Sequence, residues 1–264
     1  MTTEELIAAR RAEPWREALR KSKKNKERTD IPRVEMNELD AEYRSHTRLE
    51  EVNLGLTKEQ AMQEAQRCLD CPNPTCMQGC PVSINIPTFV KNIERGEFLE
   101  AARVLKETSA LPAVCGRVCP QEKQCESKCI HLKMGKPAVA IGYLERFAAD
   151  YERESGNISI PEVAEKNGIK IAVVGSGPAG LSFAGDMAKR GYDVTVFEAL
   201  HEIGGVLKYG IPEFRLPNKI VDVEIEGLRK MGVKFMTNCI VGKTISYDDL
   251  HADGFKGIFA ASGA

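Results

Sequence analysis

The sequence lacks the features of several protein classes. Its net charge is −1, from 37 Lys and Arg against 38 Asp and Glu, whereas bulk nucleic-acid binding needs an excess of positive charge. No run of about 18 apolar residues is present, so no membrane-spanning helix is predicted. Residues 1–11 are charged and contain no apolar segment typical of a secretory signal. We therefore expect a cytoplasmic protein that binds neither nucleic acid nor membrane.

Cysteine, in contrast, is abundant. The chain has nine cysteines, which without a secretory signal indicate a reducing compartment and metal or redox use. Eight of them fall in two runs with short spacings, C-x2-C-x4-C-x3-C-P and C-x3-C-x5-C-x3-C. These runs are Cys68, Cys71, Cys76 and Cys80, followed by Cys115, Cys119, Cys125 and Cys129.

The spacing of the first run is typical of iron–sulfur binding. It is close to the ferredoxin pattern C-x2-C-x2-C-x3-C-P, whose fourth cysteine binds the other of two clusters. We therefore expect Cys80 to be ligated apart from the three cysteines before it. Two alternatives remain. Zinc also binds four thiolates, but zinc sites usually repeat C-x2-C as a pair, and the second run has none. A disulfide framework needs an oxidising compartment.

Residues 56–160 predict a small all-helical domain around these cysteines. Thr57 and Gln60 fit a capping box that begins a helix. The prolines after Cys71 end that helix. Apolar residues at helical spacing predict further helices from Pro87, over residues 98–106 and over residues 139–154, with a short one between residues 120 and 128. This segment has few apolar core residues for its length. We therefore expect bound metal to contribute part of its folding free energy.

Residues 1–55 predict a charged arm. Six basic residues lie close together between residues 20 and 28. A run of charge is usually a solvated face, so we favour a solvated extension, wrapped on the body or partly disordered, over a docking arm for a partner subunit.

Residues 168–264 predict the N-terminal part of a Rossmann-like domain. An apolar strand over residues 169–174 runs into a G-x-G-x-x-G turn, a helix to about residue 190, a second strand and an acidic residue. In this fingerprint the first glycine permits the turn, the second lets the backbone approach a pyrophosphate and the third allows helix to pack on strand, while the acid accepts from a ribose hydroxyl. The candidate residues are Gly175, Gly177, Pro178, Ala179, Gly180 and Glu198.

A second glycine pair favours FAD over NAD as the dinucleotide. Gly204 and Gly205 follow Glu198 and precede Leu207, which resembles flavoproteins with two dinucleotide domains, where such a pair lies along the FAD. Val241 matches the position that meets adenine in those proteins. There is one G-x-G-x-x-G in the sequence and no second one, so no NADPH site is predicted in this chain.

Several segments together resemble a known family. From about residue 34 onward the chain resembles the small (beta) subunit of NADPH-dependent glutamate synthase, and also the flavin subunits of NADH-dependent ferredoxin:NADP oxidoreductase and the N-terminal part of dihydropyrimidine dehydrogenase. The segments that carry the resemblance are RCLDC (67–71), GCPV (79–82), LP (111–112), CGRVCPQ (115–121), IGYLERF (141–147) and YGIPEFRLP (209–217).

The resemblance implies two 4Fe–4S clusters with interleaved ligands. By position, one cluster takes Cys68, Cys71, Cys76 and Cys129. The other takes Cys80, Cys119, Cys125 and the carboxylate of Glu145, and Cys115 is left unligated. From the residues alone, Glu145 reads as a helix-surface glutamate. A carboxylate in place of a thiolate should alter the potential of its cluster.

The resemblance also implies a function. We expect an electron-transfer oxidoreductase subunit that links NADPH and FAD to a partner, either a large amidotransferase-type subunit, as in glutamate synthase, or a ferredoxin-linked subunit of a bifurcating enzyme. A cluster-stabilised docking module without redox function is the alternative from another class. No general acid or base is required of these residues.

Residues 257–264 resemble the strand and turn that precede an inserted NADPH domain in that family. We therefore expect a truncated chain, inactive alone, whose FAD-binding domain is incomplete at the C-terminus and holds FAD weakly or not at all. The expected fold class is multidomain, an all-α two-cluster iron–sulfur domain followed by an α/β Rossmann-like FAD-binding domain.

Overall fold

The computed structural model describes residues 3–263, which divide into two units. The first unit comprises the described residues up to Asp40 together with Asn53–Ser159. The second comprises Ala41–Val52 and the described residues from Ile160 onward. The charged arm is therefore not a unit of its own, and its residues 41–52 belong to the second unit. No helix of residues 3–263 is both long and apolar enough to cross a bilayer.

Helices and strands are numbered in chain order over the described residues. The helices are α1 Thr3–Arg11, α2 Pro14–Ser22, α3 Asn25–Asp30, α4 Ala41–His46, α5 Lys58–Gln66, α6 Thr75–Gln78, α7 Ile86–Glu94, α8 Phe98–Lys106, α9 Pro112–Val118, α10 Ile130–Lys133, α11 Ile141–Ser155, α12 Pro178–Lys189, α13 Val206–Tyr209, α14 Asn218–Lys230 and α15 Tyr247–Ala252. The strands are β1 Asn37–Glu38, β2 Asn53–Gly55, β3 Lys170–Val174, β4 Asp193–Phe197, β5 Lys234–Met236 and β6 Phe255–Ala260.

Local sequence signals set the helices of the first unit. The capping box at α5 is confirmed, because Thr57 Oγ1 accepts from Gln60 N and the Gln60 side chain accepts from Thr57 N. The Asn85 side chain caps α7 in the same way, accepting from Thr88 N. The prediction of a short helix between residues 120 and 128 is wrong in type, since two 3-10 turns, Gln121–Lys123 and Glu126–Lys128, stand there.

The core of the first unit is formed mainly by α5, α7, α8 and α11. Phe89, Ile93, Leu105 and Leu144 are fully buried in it. Five of the cysteines belong to this core or pack against it, and β1 and β2 form an antiparallel pair. Those strands have two and three residues, too few to show a periodicity in sequence.

The arm is wrapped on the body, as one form of the sequence prediction has it, but it is not solvated throughout. Helices α1 to α3 belong to the first unit, and Arg16 and Arg28 are each 1% exposed. The interpretation of this segment as a solvated charge run is therefore wrong for these two arginines. Their partners, Asp70 and Glu94, lie 54 and 66 residues further along the chain, so local sequence does not show the pairing.

The second unit contains a parallel sheet with the strand order β5-β4-β3-β6 in its described residues. Helix α12 connects β3 to β4, and β3 pairs with both β4 and β6. Gly191, with φ +83°, ends the α12 connection in the left-handed region. This order places the ends of β3 and β4 side by side, as the glycine fingerprint predicts.

Gly116 provides a test of the packing between α9 and α11. A Cβ on this residue would lie 2.5 Å from the backbone nitrogen of Arg146, so the two helices are in backbone contact. We expect Gly116→Ala to lower the free energy of unfolding by about 1–3 kcal/mol, the usual cost of overpacking. Urea unfolding followed by circular dichroism measures it.

The matched control is Gly227→Ala in α14, where a Cβ meets no heavy atom within 4 Å. Alanine should stabilise that helix, by up to about 1 kcal/mol. If both variants change stability in the same direction, the close contact at Gly116 does not exist.

Candidate metal centres and nucleotide site

Four cysteines surround one apolar cavity in the first unit. Cys68 and Cys71 follow α5, Cys76 lies on α6, and Cys129 precedes α10. All four line the same cavity, together with apolar side chains that include Ile86, Val90, Val139 and Ile141. This group, called the first group below, is the set that the family resemblance assigns to one cluster.

The surroundings of the first group oppose free thiolates. Burial raises the pKa of Cys68 to about 11 and the pKa of Cys76 well above its ordinary value. Burial also raises the pKa of Cys71. Thiolate ligands in such a place need a positive charge beside them. The chemistry of the donor set therefore fits a cationic inorganic core.

Asp70 sits between two cysteines of the first group and is held by the arm. It has φ +52° and is 0% exposed. Its carboxylate accepts from Arg16 at 2.5 and 3.0 Å and from Arg20 at 2.7 Å, while Arg11 donates to its carbonyl. This network fixes the turn from Cys68 to Cys71. An aspartate inside a C-x2-C turn was the sequence signal that could have found it.

A second group contains three cysteines and a carboxylate. Cys80 follows α6, Cys119 follows α9, and Cys125 lies between the two 3-10 turns. Burial raises the pKa of Cys80, and the charge of Glu145 adds to the rise. Burial raises the pKa of Cys125 to about 12, with Glu126 and Glu145 adding to it. Glu145, on α11, is 5% exposed and lies near these thiols, so it is not a helix-surface glutamate.

Cys115 is also close to the second group. Its thiol and that of Cys119 share a hydrogen bond, which lowers the pKa of Cys119 to about 7 and raises the pKa of Cys115. Only one of these two thiols can then carry the negative charge that a metal ligand needs.

No three His, Cys, Asp or Glu side chains within residues 3–263 lie close enough together to hold one metal ion between them. A 4Fe–4S cluster does not need such a group, because its four ligands are distributed over several irons.

In the second unit, the three glycines of the fingerprint have distinct surroundings. Gly175 has φ +100°, and a Cβ there would collide with the carbonyl of Ala261. A Cβ on Gly180 would collide with the carbonyl of Gly175. A Cβ on Gly177 would meet no heavy atom within 4 Å, so it would enter open space at the N-terminus of α12. That open space is where a pyrophosphate approaches in this fold.

A side-chain network joins the fingerprint to the second glycine pair. Glu198, at the end of β4, accepts from Ser176 N at 2.8 Å and from Ser176 Oγ. Ser176 Oγ accepts in turn from Gly204 N at 2.9 Å. A Cβ on Gly205 would lie 2.9 Å from the Cα of Gly177. The two glycine segments are therefore in contact, and Ser176, not named from the sequence, links them.

The other predicted nucleotide residues are placed as follows. Pro178 and Ala179 are exposed at the start of α12. Leu207 is 2% exposed on α13. Val241 packs against a small cluster that contains Phe197, at the end of β4. Glu198 is 6% exposed, and its Oε1 already accepts from Leu200 N.

Two family models match the chain, one in its cysteine-rich half and one in its glycine-fingerprint half. The family described as dihydropyrimidine dehydrogenase domain II, 4Fe-4S cluster, matches residues 44–157. The family described as NAD(P)-binding Rossmann-like domain matches residues 173–232.

Named relatives match across both halves. The NAD-dependent dihydropyrimidine dehydrogenase subunit PreT of Escherichia coli (strain K12) is 40% identical over 78% of this chain and 49% of its own. The glutamate synthase [NADPH] small chain of the same strain is 39% identical over 77% and 43%. The corresponding chain of Azospirillum brasilense is 35% identical over 76% and 42%.

The chain is homologous to these relatives over about three quarters of its own length. It spans about half the length of the curated relatives that it matches. The two family models place a 4Fe–4S domain before an NAD(P)-binding Rossmann-like domain in this chain.

Asp70 generates a prediction on stability. Asp70→Asn keeps the shape and tolerates the positive φ, but leaves the buried Arg16 without a carboxylate. We expect it to lower the free energy of unfolding by about 3 kcal/mol, as for other broken buried pairs. Asp30→Asn is the control, since its partner Lys136 is exposed and the cost should stay below about 1 kcal/mol.

The difference between wild type and Asp70→Asn should depend on pH. Burial raises the pKa of Asp70, but hydrogen bonds from Arg16 and Arg20 outweigh it and hold the pKa below its ordinary value. A carboxyl with a lowered pKa stabilises the folded state above its unfolded pKa, about 3.9, and loses that effect as pH falls through the folded value. The gap measured by urea unfolding should therefore narrow below about pH 4. A gap that widens there would contradict the pairing.

Proposed function

We propose that this chain is an electron-transfer oxidoreductase subunit that binds two 4Fe–4S clusters and FAD and serves a partner subunit. The observation that carries the proposal is the division of the candidate ligands into two groups. Four thiols surround one apolar cavity, and three more thiols gather with the buried Glu145. Two separated sets of ligands are what two clusters require.

The ligand assignment is part of the proposal. Cys68, Cys71, Cys76 and Cys129 hold one cluster, and Cys80, Cys119, Cys125 and Glu145 hold the other. The family resemblance leaves Cys115 unligated, and its hydrogen bond with Cys119 is compatible with a single thiolate ligand in this pair.

The glycine network supports FAD as the dinucleotide. The open space at Gly177 accepts a pyrophosphate at the N-terminus of α12. Ser176 and Glu198 hold the loop, and the Gly204–Gly205 segment extends the same surface. When bound, FAD exchanges hydride with a nicotinamide and the clusters carry single electrons, so the cofactors supply the chemistry. The residues bind and orient them.

Two partners are favoured by relatives of nearly equal similarity. In the first proposal the partner is a large amidotransferase-type subunit, as in glutamate synthase, and NADPH is the electron source. In the second it is a pyrimidine-reducing subunit, because the PreT relative is 40% identical. A ferredoxin-linked partner is a further alternative. Co-purification from the native cell distinguishes them.

Anaerobic purification tests the proposal itself. We expect about eight irons per chain and an equal amount of acid-labile sulfide. Both clusters should change oxidation state when the chain is titrated across the range between NADPH and ferredoxin potentials. Clusters that never change would instead indicate a docking module, and a colourless zinc protein would exclude the proposal.

Single cysteine variants test the interleaving. Cys80→Ser should lose the second group's cluster, about half the iron, and leave the first intact, whereas Cys129→Ser should do the reverse. Cys115→Ser is the matched control and should keep both. Iron content and EPR spectra measure the outcome. Loss of a cluster in Cys115→Ser but not in Cys129→Ser would show that the ligands are wrongly assigned.

Gly177→Ala tests the nucleotide site. The added methyl group enters open space, so folding should be unaffected, but the backbone can no longer approach the pyrophosphate closely. We expect the Kd for FAD to rise about tenfold, equal to 1.4 kcal/mol, in a flavin-fluorescence titration. Gly227→Ala should bind like the wild type. Equal affinity in both variants would rule out this surface as the FAD site.

A further inference from the structure

Lys91 places a buried positive charge beside the first group. Its side chain is 0% exposed, on α7, the helix whose Ile86 and Val90 line the cavity. Its Nζ donates to the carbonyl of Cys68 at 2.6 Å and to Glu94 Oε2 at 2.5 Å. Burial raises the pKa of Cys68, and the charge of Lys91 is the largest influence that opposes this rise. The ammonium group is therefore close enough to act on that ligand.

Lys91 is fixed in this position by the arm. Glu94 Oε1 accepts from Arg28 at 2.8 Å, and Arg28 also donates to the carbonyl of Gln66 at 2.6 Å. Burying such a pair costs several kcal/mol of desolvation per ion, which an apolar pair would avoid. Core packing alone is thus a poor reason for a lysine here.

Carboxylates lie near both groups, since Asp70 acts on Cys68 and Cys71 of the first group and two glutamates act on the second. The charge of Glu145 raises the pKa of Cys80, after burial, and Glu126 does the same for Cys125. Arg33 pairs with Glu126 at 2.8 Å but remains part-exposed. Reduction adds negative charge to a cluster, so a nearby cation favours it and nearby carboxylates oppose it.

We propose that Lys91 raises the reduction potential of the cluster held by Cys68, Cys71, Cys76 and Cys129. The inference rests on the proposed function, because it requires that cluster to be bound.

The test is a pair of variants with opposite expected signs. Lys91→Met removes the cation, while Glu94 keeps its pair with Arg28. In this variant the cluster of the first group should become about tenfold harder to reduce, which lowers its reduction potential by 59 mV for one electron. Glu94→Gln removes the neighbouring negative charge and should shift the same potential upward. The second cluster should not move in either variant. Anaerobic EPR redox titration gives both potentials, and the Cys80→Ser chain assigns the signals.

The controls separate charge from structure. Lys91→Arg keeps the charge and should restore the wild-type potential, and Lys21→Met, at a lysine whose side chain is 76% exposed, should leave it unchanged. If Lys91→Met fails to fold, the direction of the shift in Glu94→Gln still decides. Shifts of the same sign in both variants, or no shift with iron retained, would overturn the inference. A wild-type chain without iron would instead overturn the proposed function.

Discussion

A thiolate cannot be buried in an apolar cavity unless positive charge lies beside it, and this constraint shapes the first unit. Cys68, Cys71 and Cys76 of the first group have raised pKa values because burial excludes water from them. Iron would supply most of the compensating charge, and the ammonium group of Lys91, which donates to the carbonyl of Cys68, places a further positive charge nearby. The helices around the cavity provide the dry surroundings in which those charges act strongly.

The same constraint gives the arm a structural task. A C-x2-C turn that carries Asp70 at positive φ is strained for a non-glycine residue, and a buried carboxylate there is costly. Arg16 and Arg20 offset both costs because they pair with the Asp70 carboxylate. Arg28 does the same for Glu94 and so holds Lys91 indirectly. The basic residues of the arm therefore support the ligand loop from outside, although none of them faces the cavity.

Local features of this chain were predictable from sequence, and long-range pairings were not. The α5 capping box, the bounds of α8 and the strand–turn–helix of the glycine fingerprint each depend on residues within one short window. The partners of Arg16, the contact at Gly116 and the assignment of residues 41–52 to the second unit depend on distant segments. Glu145 came from the family resemblance, because one carboxylate on an amphipathic helix carries no spacing signal of its own.

The placement of Cys129 explains why the two cysteine runs depend on each other. It belongs to the second run in sequence, yet it lines the cavity with three cysteines of the first run. Neither run can therefore complete its site until the roughly 60 residues between Cys68 and Cys129, including α7, α8 and α9, have folded between them. Since metal binding contributes directly to folding free energy, occupation of the first group would stabilise these helices together. Metal binding would then stabilise an apolar cavity that contains thiolates. The apolar contacts of this modest core alone would not stabilise thiolates there.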